Sequence, residues 1–467
     1  MISISELQKQ IQSGKKPIDL VEDAIERLKA LADFNSTISE TFDYARSRAK
    51  LLEQQGPKGK LYGIPFIAKD NLLIEGTVTT AASNILGNFE APYTATAIKK
   101  LEDEGAICIA KANMDSFGHG SSTENSDFAQ TLNPHDKTRV PGGSSGGSAT
   151  SVALGIVPFS ICTDTGGSIR QPASFTGTYG LKPSYGRVSR NGAIAMASST
   201  DCVGAITAST KDLSTVIDII SGQDPKDSTT ITKTEDFILD TKEDTKNFRV
   251  AIIKELVADG VDAEVRQKVV EAVRKLRDSG AQVDEISIPE IDYALAAYYI
   301  IVPAEISSNL ARYDGIRYGH STKDSTKLSH TYEKTRMEGL NSENKRRILI
   351  GTYVLSSGYY DAYYKKAQQV RTLLKSAFDK AFEQYDALIG PVAPTTAFKL
   401  GESEDPLKMY LGDIMTVAPS LIGSPASSVP IGLGSDSGMP VGLQVIGRHG
   451  DDKKVLQISQ KVEEVVK

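Results

Sequence analysis

Three residues of this chain have the types and settings that acyl transfer requires. Ser144 lies in PGGSSGGSAT (141–150), Ser168 follows two glycines in CTDTGGSIRQPA (162–173), and Lys69 closes the apolar run of GIPFIAKD (63–70). Adjacent glycines let several backbone N–H groups turn toward one point. Thr165, Gly166 and Gly167 are therefore expected to hold the oxyanion of a tetrahedral intermediate formed at Ser168. A serine hydroxyl needs a base to take its proton, and no histidine lies near Ser168 in sequence. Lys69 is the candidate base, because burial disfavours its ammonium form and leaves a neutral amine. Ser144 would relay the proton between Lys69 and Ser168.

Other readings of the glycine-serine loop fit less well. Gly142 to Gly147 has the glycine spacing of a phosphate-binding loop, but Ser148 stands where the cation should be. Gly142, Ser144 and Gly146 also satisfy G-x-S-x-G, yet TLNPHDKTRV before them is polar and proline-broken rather than strand-like. A plain linker is the third reading, weakened by the second small-residue loop, which arrives at the end of a buried apolar run where α/β proteins place chemistry.

The elements that must position these residues alternate. LYGIPFIAKD and AICIAKA read as strands, with a helix at TATAIKKLEDEG between them. SATSVALG reads as a helix, IVPFSICTD as a buried strand, RVAIIKE and AQVDEISIP as strands flanking a charged helix, and Ser427 to Val466 as final strands and a helix. Residues to about 55 read as helices, tyrosine-rich sequence from about 291 to 385 as a helical elaboration, and Gln223 to Asn247 as a polar surface connection. The pattern predicts an α/β fold around a largely parallel or mixed sheet, in one domain.

Composition bounds the rest. With 467 residues, 40% of them hydrophobic, the chain can bury a large core. A net charge of −6 provides no broad basic field, which argues against DNA or extensive tRNA binding by this chain alone. The polar start MISISELQKQIQSGKK has no apolar signal-peptide core, and no run approaches a membrane span, so a cytosolic setting is expected. Cys108, Cys162 and Cys202 are predicted to be reduced core thiols, and the five dispersed histidines show no metal-ligand spacing.

GGSSGGS, TDTGGSIRQPA and the PFIAKD lysine together resemble the amidase signature family, whose catalytic group is a Ser–cis-Ser–Lys triad. The resemblance implies a single α/β domain in which a large mixed sheet is flanked by helices on both faces. It makes Ser168 the acylated nucleophile, Ser144 the bridging serine in a cis peptide, and Lys69 the base. Within the family, QTLNP, RVPGGSSGGSA, GTYGLKPSYGRVSR, SSNLARYDGIRYG and GPVAPTTAF are similar to the A subunits of tRNA-dependent amidotransferases, over nearly the whole chain. That similarity implies a glutaminase that passes ammonia to a B subunit. The B subunit would bind most of the mischarged tRNA, Glu-tRNA(Gln) or Asp-tRNA(Asn), and a C subunit would bridge the two. ATP and Mg²⁺ would serve the complex, with no cofactor in this chain.

Position by position, the family's glutamine pocket maps onto Tyr298, Arg347 and Asp413, with the adjacent Tyr299 and Arg346 as alternatives. Arg347 would grip the substrate carboxylate and Asp413 would pair its ammonium. Family members commonly read MDEFAMGSS and NPWD where this chain has MDSFGHGSS (114–122) and NPHD (133–136), so Ser116, Gly118, His119 and His135 depart from the pattern. The alternatives within the same sequence are a stand-alone hydrolase of small or aryl amides and a non-catalytic scaffold.

Overall fold

Runs that are apolar on both sides become the central strands, because both faces of the sheet are covered. In the computed structural model, which describes the chain apart from residues 234, 240–247 and 403–405, the strands are β1 (Thr37–Glu40), β2 (Pro65–Lys69), β3 (Ile107–Ala112), β4 (Phe159–Asp164), β5 (Tyr179–Lys182), β6 (Cys202–Thr207), β7 (Arg249–Ile253), β8 (Gln282–Ile286), β9 (Ala387–Pro391), β10 (Ala426–Leu433) and β11 (Pro440–Ile446). They form one 11-stranded sheet in the order β1-β3-β2-β4-β6-β5-β10-β11-β9-β7-β8. β3, β2 and β4 run parallel at one end, and β9, β7 and β8 run parallel at the other. The pairs between these two groups are antiparallel.

Side chains of these strands alternate between two apolar cores, as the two-residue period of a strand demands. Ile67, Ile107, Ile109 and Cys162 join the core beneath the helices Pro17–Ala30, Phe42–Gln55 and Gly146–Ala153. Phe66, Ala68, Cys108 and Ile161 join the core on the other face, with residues of the helices Thr210–Ile220, Ala263–Asp278 and Asp452–Val466. Lys69 has the parity of Ile67. Its side chain therefore leaves the sheet toward the helix Gly146–Ala153, immediately downstream of Ser144.

The cysteines are buried and free, as the sequence predicts. No helix among the described residues is long and apolar enough to cross a membrane. Residues 291–385 are built from helices, with Ala294–Asn309 packed on Ser342–Leu355 and Lys365–Ala381.

Two expectations need correction. The first 55 residues are not all helical: β1 pairs antiparallel with β3 and forms a sheet edge, which four residues with only one apolar side chain cannot announce. Nor is the described part of 223–247 a mere surface connection. Phe237 is fully buried, Lys233 Nζ pairs with the Asp218 carboxylate, and Asp218 Oδ1 also accepts from the Phe237 N–H at 3.1 Å. Residues 240–247 of that segment lie outside the described residues.

Candidate active site

β2 and β4 are parallel neighbours in the register Ile67↔Ser160 and Ala68↔Ile161, so their carboxyl ends, Lys69 and Asp164, emerge at the same sheet edge. The loop carrying Ser144 closes over that edge. The Gly143–Ser144 peptide is cis, and the loop is tied down by Gly143 N–H to Gln171 Oε1 (2.9 Å), Asp115 N–H to Ser144 O (3.2 Å) and Gly146 N–H to Thr123 Oγ1 (3.0 Å). Its glycine density has a steric cause. A Cβ on Gly147 would lie 2.4 Å from Ser36 O and 2.5 Å from Asn113 O, both backbone atoms.

Lys69 Nζ and Ser144 Oγ are hydrogen-bonded at 2.7 Å. The amine also reaches Ser145 Oγ at 2.8 Å and Thr163 O at 3.4 Å, and Ser145 Oγ in turn donates to Thr163 O at 3.3 Å. Ser145 is thus a member of the site that the sequence reading missed; its only signal was its position beside Ser144. Lys69 is fully buried, and burial pushes its ammonium down to about 8, against the opposing pull of Asp115, Asp164 and Asp201.

Ser168 stands between β4 and the helix Arg170–Thr176. It keeps 8% of its surface exposed, against 1% for Ser144 and 0% for Lys69, so it is the hydroxyl a substrate can meet. Its Oγ has no hydrogen-bond partner among the described residues. The structure therefore joins Lys69 to Ser144 directly and brings Ser168 to the same edge without a hydrogen bond to either.

The loop before Ser168 departs from expectation at one position. Gly167 N–H donates to Asp164 Oδ1 at 2.8 Å and is already committed, whereas the N–H groups of Thr165, Gly166 and Ser168 have no partner among the described residues. Thr165 is fixed through its hydroxyl, which donates to Asp201 Oδ1 at 2.7 Å. Gly166 is obligatory because a Cβ there would meet the Tyr298 hydroxyl at 2.3 Å.

Asp164 is the anchor of this loop. Burial alone would raise its carboxyl, but the Arg170 guanidinium overrides that and holds it below the usual range. Arg170, fully buried, donates to Asp164 through Nε (3.0 Å) and Nη2 (2.8 Å), and to Thr416 O, Gln444 Oε1 and Ser420 Oγ. Removing one partner strands a buried charge, so Arg170→Met is expected to destabilise the fold by about 3–5 kcal/mol. Denaturant unfolding checks this, and a change below about 1 kcal/mol would contradict it.

Tyr298, Arg347 and Asp413 gather beside the same loop. Arg347 is buried; its Nε donates to Glu343 Oε1 at 2.8 Å, and its guanidinium lies 5.5 Å and 5.7 Å from the ring centres of Tyr299 and Tyr410. Its two terminal nitrogens have no partner among the described residues. Arg346, by contrast, is half-buried and pairs with the buried Glu343 carboxylate. Both tyrosines take part: Tyr298 packs on Gly166, and Tyr299 donates to Asp413 Oδ2 at 2.6 Å. Burial pushes the Asp413 carboxyl up to about 7, opposed by Tyr299 and Arg347. A cavity of about 240 Å³ adjoins the loop, lined in part by Asn71, Gly118, Thr163, Thr165 and Asp201.

The departures from the family pattern are accommodated in different ways. His135 Nε2 bonds the carbonyl of Thr176, the last residue of its helix, at 2.9 Å. Ser116 and His119 are buried and both contact Asn344.

The protein-family model described as Amidase matches residues 19–456. The chain belongs to the amidase family. It is 48% identical to the A subunit of the glutamyl-tRNA(Gln) amidotransferase of Macrococcus caseolyticus (strain JCSC5402), covering 99% of this chain and 97% of that one. The A subunit of the same enzyme from Staphylococcus epidermidis (strain ATCC 12228 / FDA PCI 1200) is also 48% identical, over 99% of this chain and 96% of its own. Among solved structures, the glutamyl-tRNA(Gln) amidotransferase A subunit of Thermotoga maritima is similar with a TM-score of 0.83 at 39% identity, covering 99% and 94% of the two chains. A crystal structure titled simply as an amidase matches with a TM-score of 0.84 at 30% identity, covering 99% of each. Backbone shape alone thus does not separate the amidotransferase A subunits from other amidases of the family; sequence identity and the pocket must.

Proposed function

We propose that this chain is the glutamine-hydrolysing subunit of a tRNA-dependent amidotransferase, working in the cytoplasm with B and C subunits. The observation that carries the reading is the pairing of the Lys69–Ser144 contact with a buried arginine and a carboxylate beside one reactive loop. A free amino acid presents one charge of each sign, and Arg347 and Asp413 match them. The full-length likeness to amidotransferase A subunits supports the choice over a hydrolase of simple amides.

The contacts of Lys69 suit a neutral amine. Thr163 O can only accept, and Ser145 Oγ, which donates to that carbonyl, is left to accept as well. Two amine N–H groups are thereby used, and the lone pair remains for the Ser144 O–H. In the reaction, Ser168 Oγ attacks the carboxamide carbon while its proton passes to Ser144, whose own proton moves to Lys69. The N–H groups of Thr165, Gly166 and Ser168 hold the oxyanion. The proton returns through Ser144 to the leaving nitrogen, ammonia departs, and water admitted to the same base releases glutamate. ATP and Mg²⁺ belong to the amidation step on the B subunit, where the mischarged tRNA, Glu-tRNA(Gln) and in some settings Asp-tRNA(Asn), is activated.

Ammonia release from L-glutamine by the full chain, with and without its B and C partners, ATP and mischarged tRNA, tests the reading. Release that rises with the partners is expected. Partner-independent hydrolysis of simple alkyl or aryl amides, with glutamine ignored, would overturn it in favour of a stand-alone amidase.

A further inference from the structure

His119 is fully buried, and its ring Nδ1 lies 2.8 Å from Asn344 Nδ2. The same Asn344 nitrogen is 3.2 Å from the Ser116 carbonyl oxygen, which can only accept, while Asn344 Oδ1 receives the Ser116 hydroxyl at 2.9 Å. The carbonyl contact fixes which end of the amide is nitrogen. Nδ1 of the imidazole therefore accepts, and the ring proton is on Nε2. Nε2 is buried and has no partner among the described residues. Buried donors in folded proteins are normally paired, so this one calls for an acceptor from outside the chain.

The surroundings indicate what that acceptor is. Asn344 and Arg347 stand three apart on the helix Ser342–Leu355, on one face and a turn from each other. Burial keeps the His119 ring neutral, and Arg347, the charged group that bears on it, adds to that effect. Beneath the guanidinium lies Tyr410, whose buried hydroxyl is turned toward Arg346. Met409 next to it contacts Asn125 Nδ2, which donates to His119 O at 3.3 Å. The His119 Nε2–H and the Arg347 terminal nitrogens are thus donors without a partner among the described residues, linked through Asn344 on one helix face, an arrangement that suits an anionic acceptor with several lone pairs.

We propose that His119 is a substrate-binding residue whose Nε2–H donates to the carboxylate gripped by Arg347, so that the site selects amides that carry this carboxylate. The inference rests on the proposed role of Arg347 and adds a contact that the family's usual methionine, which has no proton to give, does not make.

Steady-state kinetics of the full chain with its partner subunits tests it, using L-glutamine and 4-aminobutanamide, which keeps the amide and the amine but lacks the carboxylate. His119→Met is expected to raise KM for glutamine about tenfold or more with kcat within about a factor of two, and to lower the preference for glutamine over 4-aminobutanamide by a similar factor. His119→Gln, which restores an N–H near the Nε2 position, is expected to recover most of that preference. An unchanged glutamine KM in His119→Met overturns the inference, as does an equal loss of kcat/KM on both amides, which marks a packing role. Should His119→Met not fold, His119→Gln decides alone: a preference lowered as far as the methionine change predicts overturns it, and a preference within about threefold of the parent supports it. A parent that hydrolyses 4-aminobutanamide as well as glutamine defeats the glutaminase reading and this inference together. A parent selective for glutamine with an indifferent His119→Met defeats the inference alone.

Discussion

Ser168→Ala is expected to lower ammonia release from glutamine on the order of 10⁴-fold or more, while the melting temperature stays within a few degrees of the parent. The size follows from the chemistry: without Oγ no acyl-enzyme forms, and what remains is substrate binding and oxyanion stabilisation by the Thr165–Ser168 loop. The unchanged stability follows from the structure. Ser168 Oγ bonds nothing among the described residues, so its removal leaves no buried partner unsatisfied. Ser144→Ala differs in this respect, because it deprives buried Lys69 Nζ of its 2.7 Å contact. Mass spectrometry after trapping with an acylating inhibitor provides a second readout, with label on the peptide carrying Ser168 in the parent and none in the variant. Residual activity within tenfold of the parent would move the nucleophile elsewhere. Catalytic contacts in unliganded sites are often long and tighten on binding, so the absence of a Ser144–Ser168 hydrogen bond is compatible with the relay.

The residues proposed to do the chemistry were more legible in the sequence than the environment that would make them reactive. Lys69, Ser144 and Ser168 stand in motifs whose composition has few other uses, and the unbroken burial of β2, β3 and β4 follows from continuous apolar runs. β1 and β5, four residues each, are too short for a periodic pattern and are set by neighbours distant in the chain. The commitment of Gly167 N–H to Asp164 was equally invisible, because it depends on a carboxylate held in place by Arg170 and, through it, by Thr416, Ser420 and Gln444 far along the chain. Ser145 and Tyr299 stand beside the residues the sequence singles out, and only three-dimensional packing distinguishes which neighbour bonds what. Asn344, which orients His119, carries no motif at all.

Lys69→Met should reduce glutamine hydrolysis about 10³-fold or more with a stability loss of no more than about 1–3 kcal/mol, since an apolar side chain of similar length suits the fully buried position but leaves the Ser144 hydroxyl without its partner. Combined with Ser168→Ala it should cost little beyond the larger single effect, because residues that act as one unit are not additive. The pH profile supplies the sharper test. An amine lowered to about 8 is neutral in roughly a tenth of molecules at pH 7, against well under a thousandth for an ordinary lysine. A base works in its neutral form, so kcat/KM should climb as pH rises and level off above about 8. Asp413, raised to about 7, must be ionised to pair the substrate ammonium, and its titration acts in the same direction. The rising limb should therefore steepen toward two protons below about 7 and run at about one proton between about 7 and 8. Asp413→Asn should weaken binding and reduce the limb to a single proton near 8. A profile that is flat from pH 6 to 9, or that falls with pH, would exclude Lys69 as the base.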